Sequence, residues 1–235
     1  MDSQTLNGRR RVPTPRARPA PKNKPGRPEG SSNVREQIID AAELIFADQG
    51  YAGTTLREVA AFAQVTQALI NYYFGSKYGL FEEVFLRRGR IISEERANRL
   101  QALKRSGPLD VKRIVHAFLS PTLALRETAG GRAFIRLQAR LHTEPPEISY
   151  KLRNEAYDSS TKAYVGAFLE AQDHLTEREA YWRVTFMIGA YMYAFSDTHR
   201  LEQLAAGVCN CDDSAELLSQ ITAFVTAGLQ APAPE

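Results

Sequence analysis

Gln67 and Asn71 stand four residues apart, and Ala68 and Tyr72 repeat the same spacing beside them. On a helix those four side chains share one face. Glutamine and asparagine amides can each bond an adenine edge bidentately, a small alanine lets the backbone approach, and threonine or tyrosine hydroxyls reach phosphates. The chemistry on offer is recognition of a DNA major groove. Ile70 and Phe74, again four apart, give the same segment an apolar side to bury. No catalytic pattern competes with this one: G-x-S-x-G, H-E-x-x-H, a Walker glycine loop and G-x-G-x-x-G are all absent from the sequence. His116, His142, His174 and His199 are scattered, and Cys209-x-Cys211 is too poor in ligands for a metal sensor unless a dimer doubles it. Neither an enzyme, a metal nor a cofactor is expected.

The elements that must hold that face are legible from caps and periodicity. Thr55 followed by Glu58 is a capping box, so a helix starts at Leu56, and Thr66 offers a second N-cap ahead of Gln67 to Phe74. Two short helices meet at a tight turn. Before them, Ile38, Ala42, Ile45 and Phe46 mark a helix from about Asn33 to Gln49 that stops at Gly50. After them, Ser76 can cap a long helix reaching about Leu103, with Leu80, Phe81, Val84, Phe85 and Ile91 along it. Further helices are expected at 109–127 with a break near Pro121, 131–142, about 147–171, 176–200 and 213–229. Thr176 and Glu179 form another capping box. No alternating run argues for a sheet. The apolar window Phe186 to Phe195 is too short to span a membrane and lies between Arg183 and Asp197, so it reads as a buried helix.

Composition, 43% apolar and 24% charged over 235 residues, is that of an ordinary soluble chain, and two cysteines fit a reduced cytosolic setting. The net charge of +3 conceals an asymmetry. Residues 1–32 hold eight Arg or Lys against Asp2 and Glu29, a net +6, together with six prolines. Such a segment reads as a disordered basic arm without the apolar core of a signal peptide. Pro25-Gly26-Arg27-Pro28 resembles an AT-hook core, which would slide Arg27 into a narrow minor groove. Residues 33–78, in contrast, carry a net −2.

The residues over this stretch carry a resemblance. Arg35, Ile38, Ala41-Ala42, Leu44, Phe46, Gly50-Tyr51, Thr54-Thr55, Val59-Ala60, Val65-Thr66, Phe74, Ser76 and Lys77 match the pattern of the TetR family of transcriptional regulators. The wording INYYFGSK is similar to a subset that includes regulators of fatty-acid metabolism. Three positions depart from the family: Gln64 stands where Gly is usual, Ala68 where Gly is common, and Asn71 where a phosphate-binding Tyr is typical. On an unchanged turn Gln64 would have positive φ, costing on the order of 1 kcal/mol, and Tyr72 or Tyr73 would take the phosphate role. The resemblance implies an all-α chain: a three-helix helix-turn-helix domain at 33–78, joined by a long helix to a helical effector-binding and dimerisation domain at 79–230, with a tail at 231–235. The DNA-contacting set it implies, with the residue reading, is Arg27, Thr54, Thr55, Arg57, Thr66, Gln67, Ala68, Asn71, Tyr72, Tyr73 and Lys77.

The function implied is a ligand-responsive regulator of the bacterial cytoplasm, a repressor by the family's usual mode. It would bind a palindromic operator as a homodimer and be released by an unidentified small molecule. The different reading is an architectural DNA-binding protein that uses the basic arm and has no effector. For the effector, Arg136 and Arg140 share a face with Arg132 that could receive an anion or simply be solvated. Phe118, Tyr181, Trp182 and Tyr191 could line a cavity or be plain core. The last two long helices carry more apolar surface than a terminal pair needs, and the family uses the corresponding pair as a dimer interface. Phe186, Ala190, Tyr193, Leu217, Ile221, Phe224 and Val225 are the residues expected there.

Overall fold

The computed structural model describes residues 29–196 and 199–232, with side chains from Asn33 onward. Arg27 and the arm expected ahead of residue 29 lie outside the described residues, as do 233–235 of the tail. Ten α-helices and two short 3-10 turns make up the described chain, which contains no strand.

Helix α1 (Glu29–Gly53) begins one turn ahead of the expected Asn33, where Gly30 and two serines give no periodic signal. It breaks at Gly50, whose φ of 73° and ψ of 177° no helix tolerates. Helix α2 (Leu56–Phe62) starts on the capping box: Glu58 N donates to Thr55 Oγ1 at 3.2 Å, and Thr55 N donates to Glu58 Oε2 at 2.9 Å. Helix α3 (Gln67–Phe74) starts where Leu69 N donates to Thr66 Oγ1 and ends at Gly75, φ 72°. Helix α4 (Lys77–Arg105) opens on Ser76, and its 29 residues extend about 43 Å at 1.5 Å per residue.

The remaining helices are α5 (Val111–Ala124), α6 (Ala129–Arg140), α7 (Pro146–Glu170), α8 (Glu177–Phe195), α9 (Arg200–Ala205) and α10 (Ser214–Gln230). Pro121 does not break α5, which runs on to Ala124 before a 3-10 turn at Leu125–Glu127. The helix expected to reach 200 ends at Phe195, and α9 is a separate piece starting from His199 with a φ of 51°.

Two cores divide the molecule, and α4 belongs to both. Phe46, Phe81, Phe85 and Phe134 centre the first, which joins α1, α2, α3 and the N-terminal half of α4 to α6 and the start of α7. Leu100, Phe118, Tyr164, Phe168 and Phe195 centre the second, built from α5, α7, α8 and α10. Ion pairs fasten α1 to α4 across the first core. Glu43, 1% exposed, takes Arg88 through two bonds of 2.6 and 2.7 Å, while Arg87 reaches Asp40 at 2.7 Å. Arg35 bonds Glu83 in the same seam. Gly130 admits α6 to this pair, since a Cβ there would stand 2.8 Å from Arg88 Nη2.

Candidate nucleic-acid interface and effector cavity

Helix α3 is amphipathic in the sense the spacing predicts. Ile70 and Phe74 are buried in the first core, and Gln67, Ala68, Asn71 and Tyr72 are exposed, Tyr72 at 80%. Tyr73 is half-buried against the core and makes an edge contact with Tyr72, ring centroids 5.3 Å apart. Thr66 is exposed next to its cap bond. Gln64 does adopt a φ of 53° in the turn between α2 and α3, so the strain expected for a non-glycine residue there is present. One exposed polar row on a capped helix, held by its own buried side, is a geometry that can enter a major groove.

The flanking candidates divide. Arg57 is exposed on α2 and free of any packing role in the core. Thr55 is exposed, though its hydroxyl donates to Glu58 Oε2 at 2.7 Å. The hydrogen bonds from the Thr55 side chain and backbone hold the Glu58 carboxyl below the usual glutamate range, so it is ionised where it caps. Thr54 is different: it is 1% exposed, and its hydroxyl donates to the Gly50 carbonyl at 2.8 Å. Thr54 is therefore a structural cap of the broken end of α1, not a surface contact, because the break leaves that carbonyl without its helical donor. Lys77 is half-buried at the start of α4, with Nζ 3.3 Å from the Ala52 carbonyl and 4.6 Å from the centre of the Tyr51 ring. Its ammonium has three N–H donors, so the Ala52 bond leaves two for a phosphate.

The break at Gly50 connects this face to the other half. Tyr51 N donates to Glu144 Oε1 at 2.9 Å. Glu144 follows a 3-10 turn, Leu141–Thr143, whose Leu141 and His142 line a cavity of about 280 Å³ between α4, α6, α7 and α8. Tyr191 also lines it, while Phe118 lies behind, 6.1 Å from the Tyr191 ring. Arg96, Gln138 and Tyr157 stand in the same wall and escaped the sequence reading. A signal for Arg96 existed: it interrupts the apolar row Ile92, Arg96, Leu100 on α4 at four-residue spacing.

Four other effector candidates are elsewhere. Tyr181 and Trp182 are 44% and 57% exposed, because Ala180, Val184, Met187, Tyr191 and Phe195 form the inward row of α8 and turn those two rings outward. Arg140 is exposed near Gly50, with Nη1 3.8 Å from where a Cβ would stand, and Arg136 is half-buried on the same helix; neither lines the cavity.

The outward side of α8 and α10 is apolar. Phe186 is 64% exposed, Tyr193 64% and Phe224 72%, next to Trp182. Ala190 and Leu217 are half-buried. Ile221 and Val225, expected on the same surface, instead pack into the chain's own second core, since α10 rests on α5 through Ile221, Val225 and Leu229. No helix among the described residues is long and apolar enough to cross a membrane.

Comparison with known proteins agrees with this architecture. A family model described as bacterial regulatory proteins, tetR family, matches residues 38–84, and one described as tetracyclin repressor-like, C-terminal domain, matches residues 116–228. Among curated relatives, the probable HTH-type transcriptional regulator YttP of Bacillus subtilis (strain 168) is 40% identical over 52 residues, 22% of this chain. The HTH-type transcriptional regulator BetI of Paraburkholderia xenovorans (strain LB400) is 46% identical over 48 residues, 20% of this chain. In both cases the chain spans 25% of the relative's length. Among solved structures, the fatty acid degradation regulator FadR from Bacillus halodurans superposes with a TM-score of 0.61 at 16% identity, covering 82% of this chain and 98% of that one. A tetR family transcription regulator from Shewanella sp. PV-4 superposes with a TM-score of 0.58 at 19% identity, covering 82% and 95%. At those identities the likeness is one of fold.

Proposed function

Since the chain belongs to the TetR family of bacterial regulatory proteins, we propose that it is a ligand-responsive transcriptional repressor acting as a homodimer on a palindromic operator. The observation that carries the DNA half of this reading is the exposed row Gln67, Ala68, Asn71 and Tyr72 on a helix whose other side is locked into a core. Gln67 and Asn71 read base edges; Thr66, Tyr72, Tyr73, Arg57 and Lys77 hold the backbone. A second copy covers Trp182, Phe186, Tyr193 and Phe224, and two-fold symmetry then presents two reading helices to a symmetric site. Working on chromosomal DNA, the protein is cytoplasmic.

The effector occupies the cavity behind Leu141 and His142. Its signal reaches the reading helix by a short route: the turn Leu141–Thr143, then Glu144, then the Tyr51 amide, whose ring in turn carries Lys77. A ligand that shifts the turn changes where Lys77 and the start of α4 stand, and only differential affinity for the two arrangements can drive this. Operator DNA must then weaken ligand binding by the factor with which ligand weakens DNA binding.

Selection of bound sites from a random DNA pool with the full-length protein tests the reading. A palindrome is the expected product, and Gln67→Ala should relax the preference at one symmetric pair of positions and weaken binding by about 10-fold or more. Recovery of non-symmetric A·T-rich sequence would remove the operator reading in favour of an architectural role for the basic arm.

A further inference from the structure

Arg96 is buried to 1% exposure in the wall of the effector cavity. Its guanidinium donates from Nε to the Phe118 carbonyl at 2.9 Å and from Nη2 to Thr122 Oγ1 at 3.2 Å, and it lies 3.6 Å from the centre of the Phe118 ring. All of these partners are neutral. The other paired arginines of α4 have carboxylates: Arg87 and Arg88 take acids of α1, Arg90 takes Glu155 and Arg99 takes Glu95. Among the described residues no ion pair includes Arg96. A buried cation without a countercharge is costly, and at this depth water does not screen it. Two of its five N–H donors are used.

The neighbouring wall adds two more polar atoms without a hydrogen bond of ordinary geometry: the amide nitrogen of Gln138, a residue 2% exposed, and the hydroxyl of Tyr157. Burial pushes the Tyr157 hydroxyl far above the usual tyrosine range, so it keeps its proton and can donate. Guanidinium, amide and phenol are thus three donors on residues that line one cavity. Asp158 stands at the same cavity, 3.8 Å from Lys162, and its charge is shared with that lysine. On the opposite side Arg153 Nη1 stands 3.2 Å from His142 Nδ1, adding a second positive group. The rest of the lining sets the apolar side chains of Phe85, Leu141, Ile188 and Met192 beside the polar Asn154, Thr161 and Thr185. At about 280 Å³ the space is at the small end for an organic ligand.

Resting on the effector reading above, we propose that this cavity binds a small organic monocarboxylate with an apolar body, its carboxylate seated on Arg96, Gln138 and Tyr157. One anionic charge matches the one fully buried cation. A phosphate dianion would need a second countercharge, and Arg153, the other arginine of the lining, is only half-buried and turned to His142.

Calorimetric titration of the full-length protein without DNA tests this, using benzoate, phenylacetate and hexanoate, each beside its own carboxamide, with phenyl phosphate as a further probe. At least one acid should bind and exceed its amide by about 10- to 100-fold, the range for a hydrogen bond to a charged group. Arg96→Met should abolish that preference while the ligand-free melting temperature holds or rises, because an uncompensated buried charge has been removed. Gln138→Leu, which retains Arg96, should weaken the acid by about 10-fold and serves where Arg96→Met does not fold. Equal binding of acid and amide, binding of none of the acids, preference for phenyl phosphate, or a preference that survives Arg96→Met overturns the proposal. Release of labelled operator is read separately. Acid binding without release removes the effector reading and leaves this inference standing; release by the amides alone does the reverse.

Discussion

The two cores of this molecule differ in how completely they satisfy themselves. In the seam of the first core Glu43 is met by two arginines, and the one buried side-chain polar atom there without an ordinary hydrogen bond, Arg87 Nη2, stands 3.4 Å from Glu43 Oε2. Around the cavity and the second core such atoms are more numerous: Arg99, Gln138, Gln172, Thr222 and Thr226 carry them, as does Tyr157 where the cavity borders the first core, and Arg96 lacks a carboxylate. The same half also exposes Trp182, Phe186, Tyr193 and Phe224. A reading head must be rigid before it meets DNA, because base contacts are specified by side-chain position. The half proposed above to sense a ligand, the sensing half, must gain something from its partners, because only differential contacts move an equilibrium.

Breaking the satisfied half should have the largest effect. Glu43→Ala leaves Arg88 without its carboxylate while Arg87 keeps Asp40 and Glu36, and it should cost about 3 kcal/mol, the loss from removing one partner of a buried pair; denaturant unfolding measures it. Breaking the unsatisfied half should leave the subunit folded. Phe186→Glu should split the proposed dimer, a hot-spot loss of about 2 kcal/mol or more, seen by sedimentation as a monomer with unchanged helical content.

Smaller changes sharpen the contrast. Gln64→Gly relieves a φ of 53° in the turn ahead of α3 and should stabilise by up to about 1 kcal/mol, read as a higher unfolding midpoint. A loss of stability there would show that the turn tolerates glutamine without strain. His142 supplies the smallest effect and belongs to the sensing half. Burial, and then the charge of Arg153, hold its imidazole below the usual histidine range. The folded state therefore prefers the neutral ring. Its contribution is complete above the unfolded value of about 6.5 and is lost as pH falls through the lower folded value. His142→Gln should flatten that part of the stability profile and leave neutral pH unchanged.

Much of the reading head was legible before any coordinates, because its signals are local. Thr55 with Glu58, Thr66, Ser76 and Gly50 each act on backbone groups within a few residues, so their positions alone mark where helices start and stop. The spacing of Ile70 and Phe74 settles which way Gln67 and Asn71 point. Thr54 eluded the same reasoning, since its neighbour Thr55 has the same chemistry and only the break at Gly50 decides which hydroxyl turns inward. The basic arm with Arg27 lies beyond the described residues.

The sensing half was less legible for a physical reason. Helices α8 and α10 are apolar on more than one side, so periodicity cannot say which row meets the chain's own core. Packing assigned Val184, Met187, Ile221 and Val225 inward and left Trp182, Phe186 and Phe224 outside.

By itself, then, the sequence determined the all-helical class, the family pattern and the polar face of α3, because caps and four-residue spacings act along the chain. Only the tertiary structure decided which aromatic rows face outward, that Thr54 is a cap, and that Arg96, Gln138 and Tyr157 meet in one cavity. Arg96 comes from α4, Gln138 from α6 and Tyr157 from α7, and no local rule places three helices side by side. Burial is a property of the packed whole, so an arginine's missing countercharge becomes visible only once its neighbours are in place.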